Sequence, residues 1–487
     1  MKHYLDLLTN RITMYRLIVY LLVALMCVAV LLSIFGVLDF DPFAMILGGV
    51  VLGATSVGVN ALFAYMFSVP RNSESALISA LILFFIFTPP DSPQGAIGMA
   101  FVAAIAAASK YLLVWKGRHI FNPAASAAVI SGFIGLGFAS WWVATGPLII
   151  VTALLGVIIL YKTRRLRMGL LYVGVSITAI ILTTLLQGRD VMVILPQIAT
   201  SWPLVFFACF MLSEPLTMPP RKYQRYLFAA GIAIIANTQW HIGSVFTSPE
   251  IALAIGNVYA FWCGQRGAIK LTLIARKQLS GGQIEYTFEP SRPLKYRAGQ
   301  YIEIQLPHKN SDRRGVRRTF TIASAPGSKY IKLGIRHYQP SSTFKQALQT
   351  MEIGKSISAT GIYGDFLLPS NRSEKLLLVA GGIGITPFRS HLQWLLDNNQ
   401  QRDGILLYSV REMTDAIYHD ILMAQEHGIK LHVISGPVTG NILRQYVPDI
   451  TSRHVFVSGP PPMVDAVEAE VKRQGAKTVS KDHFNGY

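Results

Sequence analysis

Charged side chains are scarce in this chain of 487 residues: Asp, Glu, Lys and Arg make up only 14%, whereas hydrophobic residues make up 52%. An ordinary soluble domain carries about 25% charged residues. The shortage is not uniform, because residues 15–264 form a series of apolar runs and the chain from Leu271 onward has the composition of a soluble domain. The sequence therefore predicts a membrane-embedded half fused to a soluble half.

Cysteine is also rare. The chain contains Cys27, Cys209 and Cys263, each within an apolar run and none in a C-x-x-C pair. This excludes a disulfide framework and an iron–sulfur cluster with four cysteine ligands from one chain. Packing in an apolar interior explains all three, and an iron site shared between subunits through Cys209 is the alternative. We expect no metal site within the chain itself.

A net charge of +18 can indicate a nucleic-acid partner, but the positions of the basic residues argue against one here. Much of this charge lies in short loops between apolar runs, where Lys and Arg set the orientation of a membrane protein. We therefore predict no binding to nucleic acid. The first apolar run is long and ends without an A-x-A site, so we also predict no cleaved signal peptide.

Ten apolar segments can be distinguished, each near the roughly 20 residues that cross a bilayer. They centre near residues 26, 55, 81, 104, 130, 153, 178, 205, 234 and 256. Every second loop is rich in basic residues, among them Arg71, Lys116, Arg118, Arg164, Arg165, Arg221, Lys222 and Arg266. The positive-inside rule then predicts a multi-pass protein of the cell inner (plasma) membrane, with the N-terminus and the soluble half in the cytoplasm.

A weak internal repeat runs through the apolar half. The stretch from Ser75 to Pro90 resembles the stretch from Ser201 to Pro220, and the two fall in the third and eighth segments. An offset of five segments inverts the second copy relative to the membrane. Inverted repeats commonly place a binding site near the midplane, at their interface. We predict such a repeat here.

Polar residues within the apolar half are candidates for function, because they are costly in a bilayer. Asn122 lies in His119-Ile-Phe-Asn-Pro-Ala-Ala125, and Ser213 and Glu214 lie in Met211-Leu-Ser-Glu-Pro-Leu-Thr217. Both motifs contain a proline that frees backbone groups for a ligand or an ion. The alternative is a helix end at the membrane interface.

These two motifs and the ten-segment layout resemble one membrane family over residues 15–265. The family comprises the membrane-embedded, flavin-carrying subunits of the Na⁺-translocating NADH:quinone reductase and of the Rnf complex. The resemblance implies a flavin in the membrane half, near Asn122, Ser213 and Glu214, and electron transfer between flavins. The family attaches FMN to a threonine in a Ser-Gly-Ala-Thr motif. Here Trp141-Trp-Val-Ala-Thr-Gly146 offers only Thr145, so we expect FMN or another flavin to be bound noncovalently.

Haem is the other carrier that could serve a membrane half. Transmembrane haem needs paired histidine ligands on facing helices. The apolar half offers only His119 and His241, near segment ends and in no such pairing. We therefore predict no haem.

The soluble half divides into two patterns. Residues 266–370 contain short alternating strands, such as Tyr301-Ile-Glu-Ile-Gln-Leu306, which predict an antiparallel β-barrel. Residues 371–487 alternate apolar strands with helices, which predicts a parallel α/β domain of the dinucleotide-binding type. With residues 1–265 as a transmembrane domain, the chain has three domains.

Four motifs follow in order along the soluble half. Arg318-Thr-Phe-Thr321 combines a cation for a diphosphate, an aromatic ring and a hydroxyl. Gly361-Ile-Tyr-Gly-Asp-Phe366 supplies a turn of close backbone approach. Gly381-Gly-Ile-Gly-Ile-Thr-Pro387 joins a strand to a helix, where glycines admit a pyrophosphate. Ser458-Gly-Pro-Pro-Pro-Met463 follows a later strand, at the sheet edge where ligands bind.

In this order the motifs resemble the ferredoxin–NADP⁺ reductase superfamily over the whole half. The resemblance implies an FAD site formed by Arg318, Phe320, Thr321, Ile335, Arg336, Ser342 and Thr343. It implies an NAD(P)H site formed by Gly382, Gly384, Thr386, Pro387, Ser409, Arg411, Gly459, Pro460 and Met463. Thr321, Ser458 and Tyr487 are the candidates closest to hydride transfer, and Phe484 or Tyr487 would lie near the flavin ring. Ser458 stands where many relatives have cysteine; activity should survive, because hydride transfer needs orientation more than a nucleophile.

The sequence thus predicts a membrane-bound oxidoreductase that passes electrons from cytoplasmic NAD(P)H through FAD to a membrane flavin. Quinone or an extracytoplasmic acceptor would follow, and the sequence leaves ion coupling and the choice between NADH and NADPH open. One alternative is a subunit of a larger Rnf-like complex with partner subunits. Another, of a different class, is a non-redox transporter with a nucleotide-sensing domain.

Overall fold

A computed structural model describes residues 13–69, 71–115, 118–144, 146–238, 240–243, 245–264, 269–309, 311–312, 316–337, 341–424 and 426–483. The chain divides into two compact units, residues 1–267 and residues 268–487. We call them the helical unit and the reductase unit.

The helical unit is built from eleven described helical segments. They are α1 (Met14–Ile34), α2 (Pro42–Met66), α3 (Ser73–Ile86), α4 (Pro93–Leu112), α5 (Pro123–Phe133), α6 (Gly146–Lys162), α7 (Leu166–Leu186), α8 (Val191–Thr200), α9 (Leu204–Phe206, continued by a π-helical turn, Phe207–Met211), α10 (Lys222–Asn237) and α11 (Pro249–Cys263). Two short hairpins, β1–β2 (Val114–Trp115 and Arg118–His119) and β3–β4 (His241–Ile242 and Val245–Phe246), join helices. All ten predicted segment centres fall within these helices.

Helix starts follow from local chemistry. Asp41, Ser92, Asn122 and Ser248 each cap a helix that has proline in its first turn, and each side chain accepts a hydrogen bond from a backbone amide of that turn. Such caps satisfy amides that a helix leaves unpaired. The same four helices therefore start at positions that the sequence dictates.

Four described helices are long and apolar enough to cross a membrane: α1, α2, α4 and α7. The helices α3, α5 and α6 are apolar but shorter. Ten crossings therefore stay a prediction, because length and composition support four of them directly.

Helix packing follows a pattern that recurs along the unit. The helix α2 packs against α4, as α7 packs against α10, and α4 packs on α5, as α10 packs on α11. The helix α1 contacts α6, and α5 contacts α11. One continuous apolar core runs through these contacts.

The reductase unit begins with a six-stranded antiparallel sheet in the order β8-β7-β10-β5-β6-β9. Its strands are β5 (Ile269–Gln278), β6 (Gln283–Pro290), β7 (Tyr301–Gln305), β8 (Arg317–Thr321), β9 (Ile331–Arg336) and β10 (Ser356–Tyr363). A bridge between Ile322 and Leu333 joins the two edges of the sheet. Alternating side chains such as Leu271, Leu273 and Phe288 fill its interior, and α12 (Thr343–Thr350) covers one end through Phe344 and Leu348.

The second part is a five-stranded parallel sheet in the order β13-β12-β11-β14-β15. Its strands are β11 (Lys375–Gly381), β12 (Gly404–Val410), β13 (Ile429–Ser435), β14 (Arg453–Gly459) and β15 (Thr478–His483). The helices α13 (Thr386–Asp397), α14 (His419–Leu422), α15 (Gly440–Tyr446) and α16 (Pro461–Arg473) complete it. Each face has its own apolar core. An antiparallel sheet is thus followed by a parallel α/β sheet, as predicted for residues 371–487.

Three consecutive residues of α13 fasten the two sheets to each other. Arg389 Nη1 donates to the carbonyl oxygen of Ala323 at 2.6 Å, and Ser390 Oγ donates to that of Ser324 at 2.7 Å. His391 Nε2 lies 3.1 Å from the carbonyl oxygen of Ala298 and 3.0 Å from that of Phe366. All three side chains are buried, so these bonds fix the relative position of the sheets.

Candidate functional site

The glycine-rich turn after β11 meets the end of β14. The parallel register pairs Ala380 with Ser458, so both strands end at the same edge of the sheet. A Cβ atom on Gly384 would lie 2.6 Å from the carbonyl carbon of Ser458 and 2.7 Å from the Cα atom of Gly459. Only glycine fits such an approach without displacing backbone. Gly382 has a φ of +52°, which also favours glycine.

Ser458 is fully buried at this edge. Its hydroxyl has no hydrogen-bond partner within the described part of the chain. A buried polar group without a partner is costly, and a bound ligand is one way to satisfy it. Met463 and Pro460 close the turn from the other side: a Cβ atom on Gly459 would lie 2.9 Å from Met463 Sδ, and one on Gly381 would lie 3.4 Å from Pro460 Cδ. This edge of the sheet is thus closely packed, and the unpaired hydroxyl of Ser458 makes it a candidate ligand site.

Thr386 and Pro387 begin α13 directly after the turn, with Pro387 in the first helical turn. Thr386 Oγ1 donates to the carbonyl oxygen of Ile383 at 3.1 Å. A Cβ atom on Gly334 of β9 would lie 2.8 Å from Thr386 Cγ2. The start of α13, directly after the glycine-rich turn, therefore lies against the antiparallel sheet.

Ser409 and Arg411 lie at the end of the neighbouring strand, β12. Ser409 Oγ donates to the carbonyl oxygen of Gly436 at 2.7 Å. Arg411 is exposed, and its carbonyl oxygen accepts a hydrogen bond of 3.0 Å from Ser435 Oγ. Both residues are at the same sheet edge as Ser458, where a nucleotide lying across the strands would reach them.

Arg318 is nearly buried on β8 and is held on three sides. Its Nη2 atom lies 3.1 Å from Asp312 Oδ1, and its Nη1 atom donates to the carbonyl oxygen of Arg317 at 2.6 Å. Its guanidinium carbon lies 5.1 Å from the centre of the Phe344 ring. Phe320 packs beside the same ring, with centroids 6.1 Å apart. A buried cation at the start of α12 suits an anionic group of a cofactor.

Thr321 ends β8, is buried, and donates a long hydrogen bond of 3.4 Å from Oγ1 to Asp482 Oδ2. Asp482 belongs to β15, and the register pairs it with Ser458. Asp482 therefore contacts the hydroxyl of Thr321 through its side chain and pairs with Ser458 through the sheet register.

Four further predicted FAD residues surround α12. Ile335 is buried in the core of the antiparallel sheet, and Arg336, at the end of β9, lies close to Gly382: a Cβ atom on that glycine would be 3.5 Å from Nη1. Ser342 caps α12, accepting from the Lys345 amide at 3.4 Å. Thr343 Oγ1 accepts from the backbone amide of Asp312 at 3.0 Å and lies 3.1 Å from His308 Nε2. Ser342 and Thr343 thus lie together at the start of α12, whereas the side chain of Arg336 lies by the glycine-rich turn.

His391 has an unusual environment for a histidine. Complete burial lowers its pKa from 6.5 to about 4, an effect that exceeds the opposing hydrogen bonds to Ala298 and Phe366. The ring is therefore neutral at neutral pH, with Nε2–H as the donor to the two carbonyl oxygens. It holds the sheets together without carrying charge.

The helical unit brings Asn122 and Glu214 into direct contact. Asn122 Nδ2 donates to Glu214 Oε2 at 2.7 Å, and Thr217 Oγ1 donates to the same oxygen at 3.1 Å. His119 Nε2 lies 3.8 Å from Glu214 Oε1. The backbone amide of Asn122 donates to Asn257 Oδ1 at 2.8 Å, which links α5 to α11. The two sequence motifs thus form one polar cluster.

Ser213 lines a cleft beside this cluster, together with Asn122, Glu214 and Phe210. The cleft has a volume of about 30 Å³. That is room for one or two water molecules. A flavin ring would need this cleft to open or would need another place in the unit.

Some predicted residues lie outside the described part of the chain, namely Thr145, Phe484 and Tyr487. Among the described residues, no group of three or more His, Cys, Asp or Glu side chains could hold a metal ion. Cys209 is buried beside Gly156, in the helical core.

Sequence reasoning missed several partners in these sites: Asp312, Asp482, His391, Thr217 and Asn257. Asp312 was the most accessible of them, because it lies six residues before Arg318. Asp482 and Asn257 are brought in by contacts that span 161 and 135 residues, and His391 by contacts that span 93 and 25 residues. Thr217 is only three residues from Glu214. For Thr217, the sequence feature that could have predicted the contact is its position as a short polar residue directly after the Ser-Glu-Pro-Leu stretch.

Two family models match the reductase unit. Residues 270–367 match the oxidoreductase FAD-binding domain, and residues 378–469 match the oxidoreductase NAD-binding domain. The C-terminal half is an FAD- and NAD(P)H-binding reductase module. Neither model reaches residues 15–265, so the resemblance to membrane flavin subunits stays a prediction.

Similar proteins are reductases or contain reductase modules. The chain is 33% identical over 196 residues to the NADH oxidoreductase HCR of Escherichia coli K12, covering 39% of this chain and 59% of that protein. It is 25% identical over 210 residues to the glycine betaine monooxygenase reductase subunit of Chromohalobacter salexigens, covering 39% of this chain and 56% of that protein. The chain thus spans little more than half the length of these curated relatives.

Two solved structures are similar to part of the chain. The Amycolatopsis cytochrome P450 reductase is 22% identical with a TM-score of 0.41, covering 45% of this chain and 69% of that one. The FAD/NAD-binding domain of nitric oxide dioxygenase from Vibrio cholerae O1 biovar El Tor is 17% identical with a TM-score of 0.40, covering 44% and 98%.

Proposed function

We propose that the chain is a membrane-bound NAD(P)H oxidoreductase that passes electrons from cytoplasmic NAD(P)H, by way of FAD, to an acceptor in or at the membrane. One observation carries the proposal: a complete reductase module follows, in the same chain, a unit with four helices that can cross a bilayer. A reductase module that is fused to a membrane unit can deliver its electrons to an acceptor in or at that membrane.

In the reductase unit, Arg318 and Thr343 hold the diphosphate of FAD at the start of α12, and Phe320 covers the cofactor. FAD, when bound, would accept the hydride from NAD(P)H and would release the two electrons one at a time. The glycine-rich turn around Gly384 and the edge at Ser458 hold NAD(P)H in the orientation that hydride transfer requires. Thr321 lies at the reacting edge, where its hydroxyl can donate to an acceptor atom of the flavin.

In the helical unit, a second flavin (FMN or a related one, bound noncovalently) would supply the carrier between FAD and quinone or an extracytoplasmic acceptor. The polar cluster of Asn122, Ser213 and Glu214 supports this assignment, because buried polar side chains in a membrane unit are functional sites by default. The recurrent helix packing supports the inverted repeat that would place such a site at the midplane.

The basic loops support an orientation with the N-terminus and the reductase unit in the cytoplasm, in the inner membrane. The same arrangement is compatible with a second role, as one subunit of a larger ion-translocating complex with partner subunits. Coupling to ions would then involve Glu214. The transporter alternative would need a nucleotide-sensing module without redox chemistry, which the buried cation of the flavin motif, Arg318, disfavours.

The test is rapid mixing of the full chain, in lipid nanodiscs with and without a long-chain quinone, with NADH or NADPH under anaerobic conditions. We expect the flavin absorbance to bleach on mixing and to recover only in discs that contain quinone. Gly384→Ala serves as the matched control, because it blocks the nucleotide site and leaves the helical unit unchanged. Bleaching without recovery would overturn transfer to a bilayer acceptor, and no bleaching would overturn the reductase assignment.

A further inference from the structure

Asp312 occupies the place where two predicted FAD residues meet. It belongs to the connection between β7 and β8. Its carboxylate accepts from Arg318 Nη2 at 3.1 and 3.5 Å, and its backbone amide donates to Thr343 Oγ1 at 3.0 Å. Arg318 and Thr343 are the residues assigned to the diphosphate, and one aspartate engages both.

The surroundings favour an anion at this point. The side chain of Arg318 is 9% exposed and its guanidinium lies over the Phe344 ring, so it has little access to water. The first turn of α12 follows directly at Thr343, and helix starts attract negative charge. A cation in such a place requires a counter-ion, and a carboxylate or a phosphate oxygen meets the same need.

Asp312 is itself placed so that it can leave. Its side chain is 23% exposed, more than twice the exposure of its arginine partner. Its carboxylate can therefore be rehydrated, whereas the arginine cannot. A diphosphate that binds Arg318 and Thr343 would be repelled by the carboxylate until the two anions exchange places.

We propose that Asp312 is an internal substitute for the FAD diphosphate, which holds Arg318 and Thr343 in the cofactor-free chain and is displaced when FAD binds. This inference rests on the proposed FAD site. It predicts that the aspartate keeps the site assembled and that it weakens FAD binding, because each binding event must break the ion pair. FAD then exchanges more readily than it would from the same site without the carboxylate.

The experiment compares the full chain with Asp312→Asn, after FAD has been removed, in detergent. Titrations follow flavin fluorescence with two probes: FAD, and riboflavin, which has no diphosphate. Glu289→Gln is the matched control, because it removes the same charge from the same sheet at a residue that is 47% exposed and pairs with Lys329 at 3.5 Å. Urea unfolding of each cofactor-free variant reports whether it is folded.

We expect Asp312→Asn to lower the Kd for FAD by about 3- to 10-fold and to leave the Kd for riboflavin unchanged. The size of the effect is that of removing a partly exposed ion pair together with the repulsion between the two anions. The control should change neither Kd. A weaker affinity for FAD in Asp312→Asn would overturn the proposal, because it would make Asp312 a support of the bound state. An equal gain for riboflavin would also overturn it. If the unsubstituted chain binds no FAD at all, the proposed FAD site itself is wrong. If both chains bind FAD with the same Kd, only the role proposed for Asp312 is wrong.

Should Asp312→Asn unfold without FAD, Asp312→Ser provides the second variant. It keeps the backbone amide that donates to Thr343 and a short polar side chain, and it removes the carboxylate. The same gain for FAD, without a gain for riboflavin, is expected.

Discussion

Protonation of His391 should decide how the reductase unit responds to acid. The pKa of this ring is lowered by burial to about 4 in the folded chain, against 6.5 in an unfolded one. Between these two values the unfolded state binds a proton that the folded state does not. Stability contributed by the neutral ring is therefore complete above the unfolded pKa and is lost as the pH falls from about 6.5 to about 4.

The magnitude follows from the width of that window. A difference of one pKa unit corresponds to about 1.4 kcal/mol, so the full loss is about 3 kcal/mol, of which about 2 kcal/mol has occurred at about pH 5. His337, His427 and His432 also have lowered pKa values, caused mainly by burial, and contribute in the same direction. A comparison with a variant is needed to isolate His391.

His391→Gln is that variant, because an amide can donate to the carbonyl oxygens of Ala298 and Phe366 and does not titrate. The assay is urea unfolding of the full chain in detergent, followed by release of FAD fluorescence, at about pH 7.5 and about pH 5. We expect the unsubstituted chain to lose about 2 kcal/mol more than His391→Gln between the two pH values. An equal loss in both chains would refute the assignment of a buried, neutral imidazole.

Three substitutions test the other sites. Gly384→Ala should raise the Kd for NAD(P)H at least about tenfold, because its methyl group meets the backbone of Ser458 and Gly459. Titration of flavin bleaching measures this Kd, and an unchanged Kd would contradict a nucleotide site at the glycine-rich turn. Ser458→Ala should change the free energy of unfolding in urea by less than about 1 kcal/mol, because its hydroxyl has no described partner, and should slow hydride transfer about threefold in rapid mixing; a large loss of stability would reveal a structural role instead. Asn122→Ala should destabilise the helical unit by about 2 kcal/mol in thermal unfolding, more than Asn122→Ser, which keeps the helix cap and loses the contact with Glu214; an Asn122→Ser variant as stable as the unsubstituted chain would argue against a stabilising contact with Glu214.

Local chemistry made much of the reductase unit predictable. The strand before Gly381, the turn and the helix after Pro387 follow from hydrophobic pattern and glycine placement within a few residues. The caps at Asn122 and Ser248 are local in the same way, and the segment centres of the helical unit fall within helices for that reason.

Contacts between distant segments were not predictable from such patterns. The hydrogen bond from Thr321 to Asp482 spans 161 residues, and that from Asn122 to Asn257 spans 135. Periodicity says which face of a strand is buried and nothing about which loop comes to meet it. The burial of His391 is of the same kind, because its pKa depends on carbonyl groups from two other parts of the chain. Helix lengths were also beyond reach, since the apolar pattern of α5 does not indicate that it ends after 11 residues.

Counting the flavins of the purified full chain tests the central claim most directly. Flavins are extracted with acid from protein in detergent, FAD and FMN are quantified per chain, and the uptake of electrons from NAD(P)H is titrated without oxygen. The account predicts FAD plus a second flavin, and about four electron equivalents taken up per chain. Flavin retained on the precipitated protein would mean a covalent bond, with Thr145 the first residue to substitute. FAD alone, with about two equivalents and no transfer to quinone in the bilayer, would contradict an electron path through the helical unit.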